Sequence, residues 1–152
     1  MCTIMIIDDK DLSLELIHSF LTREGYQNVK KYDSPLVALA EIKNGLIPDL
    51  VITDFRMPEM NGIQFLNSMG NYTPQKIPSI ILTGDPGSLP AISEKITVLE
   101  KGRMEFFREL MMEVNRICSY LKKSDYKPSS IRKFSISPKR TACNPKQLLH
   151  TA

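Results

Sequence analysis

The chain has 152 residues, 42% of them apolar and 24% charged, enough for one domain with a single core and too ordinary in composition for a disordered or fibrous protein. No apolar run approaches the roughly 20 residues needed to span a bilayer. The start, Met1-Cys2-Thr3-Ile4, lacks the basic residues of a secretion signal and soon meets Asp8 and Asp9, so a cytoplasmic protein without membrane contact is expected.

Residues 3–7 are apolar and mostly β-branched, as suits a central parallel strand covered on both faces, and Asp8 and Asp9 close it. Leu12, Leu16, Ile17, Phe20 and Leu21 then recur at helical spacing from Asp11 until Glu24-Gly25 stops the helix. Residues 28–32 make a short second strand. Ser34 before Pro35 opens a second helix, with the hydroxyl capping a backbone N–H and the proline fitting the first turn, and Asn44-Gly45 ends it. The apolar run 50–52 is short enough for a buried strand and leads onto Asp54 and a loop punctuated by Pro58 and Gly62.

Asn61-Gly62 begins a third helix that ends near Gly70. Residues 77–82 form a fourth strand delivered onto Thr83-Gly84-Asp85, and 96–99 form a fifth that ends at Glu100-Lys101. Between them Pro86, Gly87 and Pro90 leave room only for a shortened fourth helix, about 89–94. Phe107, Leu110, Met111, Val114, Ile117, Cys118 and Leu121 mark a last amphipathic helix over about 104–122, a stripe that reads as core.

Five alternations of strand and helix, with right-handed crossovers, predict an α/β fold built on a doubly wound, five-stranded parallel sheet. Strand order 2-1-3-4-5, the flavodoxin-like arrangement, puts the switch point between strands 1 and 3. Asp8, Asp9 and Asp54 converge there. Neighbouring carboxylates raise one another's pKa unless a cation joins them, and Mg²⁺ characteristically takes one or two carboxylates plus waters and phosphate oxygens. Cys2, Cys118 and Cys143 are odd in number and show no metal-ligand spacing, alone or with His18 and His150, so reduced thiols are expected.

The order of strand, Asp54, two residues, Met57-Pro58, two residues and Asn61-Gly62 resembles the phosphoacceptor loop of the response-regulator receiver domains of two-component signalling, and the likeness covers residues 3–122. The resemblance implies that Asp54 is the nucleophile, accepting a phosphoryl group from a histidine kinase or phosphotransfer protein. It also implies that Asp9 and Asp54 coordinate Mg²⁺, that Asp8 helps through water, and that the backbone carbonyl of Arg56 adds a ligand. Lys101 matches the family's lysine and Thr83 its switch hydroxyl, which suits a reaction that needs positioning and charge neutralisation above all. Singly, each residue has a bland reading as a turn, a cap or a solvated strand end; five of them at the ends of four strands weigh against it.

Three departures from the family bear on output. Gly102 follows Lys101 where the family has a proline joined through a cis peptide; a cis bond to another residue costs about 2.5–4 kcal/mol, so a looser or different seat for Lys101 is expected. Val98 stands where Tyr or Phe is usual and cannot make the aromatic's inward swing. Only 17 residues lie between Thr83 and Lys101, so the partner face around strand 5 is expected to be unusual. Arg56 and Asp85, each two residues past Asp54 and Thr83, flank the path of an attacking water and are expected to influence the lifetime of the phosphoryl group.

The implied protein is a single-domain response regulator, an enzyme only in its own phosphorylation and dephosphorylation, with a receiver domain over 1–123 and a tail over 124–152. The net charge of +3 divides unequally, −2 on the first part and +5 on the tail. That tail reads as flexible and too short for a helix-turn-helix output domain. Its charge gives nucleic acid or an acidic partner a motive, but a solvated tail is the favoured reading. Two rivals stay open: a non-switching binding module or adaptor that keeps the fold, and a weaker one, a hydrolase turning over on Asp54.

Overall fold

A computed structural model describes residues 1–93 and 95–123. The expectations for the basic tail, and for Glu94, lie outside the described residues. Five parallel strands, β1 (Ile4–Ile7), β2 (Val29–Tyr32), β3 (Leu50–Asp54), β4 (Ser79–Thr83) and β5 (Ile96–Glu100), lie in the order β2-β1-β3-β4-β5, as the sequence predicts. Among the described residues four α-helices cover them: α1 (Asp11–Arg23), α2 (Pro35–Lys43), α3 (Gly62–Met69) and α4 (Phe106–Lys123).

Every residue of β1, β3 and β4 is buried, because alternate side chains enter two separate cores. Ile4, Ile6, Ile52, Ile80 and Leu82 pack under α1 and α4, whereas Met5, Ile7, Val51 and Ile81 pack under α2 and α3. Each fully buried leucine or isoleucine contributes about 1.5–3 kcal/mol. β2 exposes Lys30 and Lys31, as an edge strand can. Ser34 caps α2, accepting from the Val37 N–H at 3.4 Å. A reciprocal capping box starts α3, with Asn61 and Gln64 each accepting from the other's backbone N–H at 2.9 Å.

Three expectations are corrected. In α1 the buried face is Leu14, Ile17 and Leu21, while Leu12 and Leu16 are 74% and 52% exposed; the helix is rotated about one position from the stripe the sequence suggested. Between β4 and β5 the described residues form no α-helix, only a 3-10 turn at Pro86–Ser88, since Pro90 lacks the N–H and the room that a helix interior needs. Cys2 and Cys118 are joined as a disulfide rather than reduced, because α4 packs across the entry to β1 and brings their Cα atoms to 6.0 Å. Cys143 lies outside the described residues. Among the described residues no helix is long and apolar enough to cross a membrane.

Candidate functional site

β1 and β3 are in register at Ile7 and Thr53, so the next residues, Asp8 and Asp54, leave the sheet at one level. Asp54 pairs with Leu82, and Leu82 with Leu99, both of which face α1 and α4. Continuing that alternation puts Asp8, Asp54 and Lys101 on the same side. Asp8 is fully buried and Asp54 is 6% exposed. The Lys101 ammonium bridges them, with Nζ 2.6 Å from Asp8 Oδ2 and 2.6 Å from Asp54 Oδ1.

Asp9 completes the cluster: one oxygen from each of Asp8, Asp9 and Asp54 lies within 4.8 Å of the others. Among the described residues Asp9 Oδ1 is buried with no hydrogen-bond partner, which is costly for a carboxylate oxygen that nothing joins. Hard oxygen donors in this arrangement, one of them orphaned, fit a divalent cation such as Mg²⁺. The electrostatics of the bridge divide between its partners. Burial pushes the Asp54 carboxyl above its usual range, and the Lys101 hydrogen bond offsets only part of that. Burial acts to lower the Lys101 ammonium, but its bonds to Asp54 and Asp8 outweigh this and hold its pKa above the ordinary lysine value.

Thr83, 3% exposed, ends β4 at the same rim. Its Oγ1 accepts the Asp85 N–H at 3.1 Å, which leaves the hydroxyl proton available to donate. Its carbonyl accepts the Lys101 N–H at 2.8 Å and so pins the backbone that carries the lysine. Gly102 takes φ +87, a left-handed conformation that glycine accepts without strain, and no described peptide bond is cis. Lys101 thus reaches both carboxylates through a trans linkage, a different route from the cis proline that the resemblance implies. Val98 is half-buried on β5, paired with Ile81. Arg56 follows β3 and donates from its guanidinium to Ser88 Oγ at 3.3 Å, tying this loop to the 3-10 turn that Asp85 precedes.

One contact had no place in the sequence reading. Ser13, in the first turn of α1, accepts from Lys101 Nζ through Oγ at 3.2 Å. Once α1 is known to begin at Asp11, its first turn lies close behind the carboxylates, so a hydroxyl there is a candidate for the rim, which is the signal that could have found it. The other tight fit is at Gly62, whose N–H donates to the Phe55 carbonyl at 2.9 Å. A Cβ there would lie 2.5 Å from the Asp54 carbonyl oxygen. Gly62→Ala is therefore expected to cost about 1–3 kcal/mol, the range for overpacking, seen as a lower urea midpoint with unchanged slope.

A parallel α/β sheet that gathers three carboxylates and an ammonium at its switch point defines a domain able to hold a small anion beside a metal cation. The family model for the response regulator receiver domain matches residues 4–107. Among curated relatives, the transcriptional regulatory protein FixJ of Rhizobium meliloti is 31% identical over 110 residues, covering 70% of this chain and 49% of FixJ. The chemotaxis protein CheY1 of Helicobacter pylori is 29% identical over 100 residues, covering 65% of this chain and 77% of CheY1. A solved receiver-domain protein from Clostridium thermocellum superposes with a TM-score of 0.67 at 28% identity, covering 80% of this chain and 98% of that one. The chain belongs to the response-regulator receiver domain family of two-component signalling, and it spans about half the length of FixJ.

Proposed function

We propose that this chain is a response-regulator receiver that accepts a phosphoryl group on Asp54 from a histidine kinase or phosphotransfer protein and signals through protein–protein contacts. The observation that carries this reading is the buried Asp54 carboxylate, bridged by Lys101 and sharing a 4.8 Å cluster with Asp8 and Asp9. Asp9 and Asp54 would hold Mg²⁺, with Asp8 and the Arg56 carbonyl assisting, and the ion would neutralise charge on the phosphoryl oxygens.

The chain's own residues supply the rest. An Asp54 oxygen attacks phosphorus as the bond to the donor's imidazole nitrogen breaks, and the imidazole leaves. Lys101 carries a fixed positive charge to the oxygens of the transferred group, and the Thr83 hydroxyl proton donates to one of them. Leu12 and Leu16, exposed one turn apart on α1 beside this rim, give a donor protein an apolar surface to dock on. We place the protein in the cytoplasm, where such donors act. A phosphohistidine donor carrying radiolabelled phosphate tests the proposal: label should pass to the wild type and not to Asp54→Asn.

The non-switching adaptor keeps two observations in its favour, the aliphatic Val98 on β5 and the lack of an α-helix among the described residues between β4 and β5. Beryllofluoride, a phosphoryl mimic, decides between the two. Partner affinity that shifts on adding it supports a switch, and unchanged affinity supports the adaptor.

A further inference from the structure

The Lys101 ammonium has three protons and, in this fold, three acceptors: Asp8 Oδ2 at 2.6 Å, Asp54 Oδ1 at 2.6 Å and Ser13 Oγ at 3.2 Å. Two of these acceptors belong to the carboxylate cluster that would hold a metal. Those two contacts are the ones a divalent cation and an arriving phosphoryl group contest. The third is different in kind, being a neutral oxygen on a helix rather than on the rim of the sheet.

We propose that Ser13 is a positioning residue for Lys101, holding the ammonium over Asp54 while the carboxylates are engaged elsewhere. This rests on the phosphoacceptor reading above. The need for such an anchor is specific to this chain. Lysine has a long, freely rotating stem, Gly102 beyond it contributes no side chain, and the main chain at Lys101 is held by its N–H bond to the Thr83 carbonyl. Ser13 adds a fixed point near the far end of the side chain. α1 keeps that point in place by burying Leu14 and Ile17 immediately after it. At 3.2 Å the bond is at the long end for a nitrogen donor, so its removal should weaken the reaction without abolishing it.

The test uses the full chain with Mg²⁺ and a small acyl phosphate as donor, comparing the wild type, Ser13→Ala, Ser13→Thr, Lys101→Ala and the Ser13→Ala/Lys101→Ala double variant. Alanine suits the first turn of a helix, so the fold should survive. Ser13→Ala should incorporate phosphoryl about three- to tenfold more slowly, the range one net hydrogen bond supplies, and Ser13→Thr should restore the rate. The Mg²⁺ dissociation constant should stay within about twofold, since Ser13 is not a ligand. In the Lys101→Ala background, Ser13→Ala should change nothing further, because the group it positions is gone.

A Ser13→Ala rate equal to the wild type would overturn the inference, and so would the same slowing with and without Lys101. Failure of the wild type itself to take up phosphoryl would strike the functional reading instead. The contact is then judged by urea denaturation of the same variants without metal. A coupling between Ser13 and Lys101 of about threefold or more in the unfolding constant supports the positioning role, and additive effects refute it.

Discussion

Replacing Lys101 by alanine is expected to destabilise the metal-free protein by about 3–5 kcal/mol at neutral pH, the cost of leaving buried charge without its partner. The two carboxylates concerned have side chains only 1% and 8% exposed, so their solvation falls well short of replacing the ammonium. The effect has a definite pH dependence. Burial already raises the Asp54 carboxyl, and a carboxyl raised by the fold contributes stability below its unfolded pKa that is lost as pH rises through the folded value. Lys101 is among the groups that oppose this rise, so its loss exposes more of the burial penalty. The deficit should therefore be smallest in acid, where Asp54 is protonated, and grow through the carboxylate range. In the wild type the raised Lys101 pKa preserves the ammonium's contribution into the basic range, until it is lost above the folded lysine value. Urea denaturation of both proteins in acid and at neutral pH measures this; an equal deficit at the two would contradict the charge argument.

The second large effect is stabilisation by Mg²⁺. A cation that binds the folded chain alone adds about 2.7 kcal/mol at a hundredfold excess over its dissociation constant. Asp9→Asn should remove most of that gain while leaving the metal-free protein folded, because the buried Asp9 Oδ1 has no partner to lose among the described residues. In Lys101→Ala the gain should be larger than in the wild type, since the cation then supplies neutralisation that the ammonium otherwise gives. Thermal melts of the three proteins across a Mg²⁺ series provide the readout. An Asp9→Asn variant that responds like the wild type would remove Asp9 from the cluster's function.

Why some of this was legible in the sequence and some not has physical reasons. β1, β3 and β4 were visible because central parallel strands are apolar on both faces, and each ended on the polar residue that now stands at the rim. The convergence of Asp8, Asp9 and Asp54 followed from strand order, whereas Lys101, which follows the edge strand β5, entered through the resemblance. α1 was placed correctly in the chain but rotated, since Leu12, Leu14, Leu16 and Ile17 offer two overlapping apolar stripes and only packing selects one. The Cys2–Cys118 pair spans 116 positions and depends on how α4 crosses the sheet, which no local pattern records. Gly102 after Lys101 signals a seat that is looser than or different from the cis-proline one, but not which. A left-handed Gly102 and the hydroxyl of Ser13 reach the same end by another route.

The central proposal is that Asp54 is where phosphorus is bound, and peptide mapping after reaction with an acyl phosphate and Mg²⁺ tests it most directly. The expected result is one phosphoryl group per chain, on the peptide that contains Asp54, absent without Mg²⁺ and absent from Asp54→Asn. Phosphoryl found on another residue, or uptake by Asp54→Asn equal to that of the wild type, would contradict it.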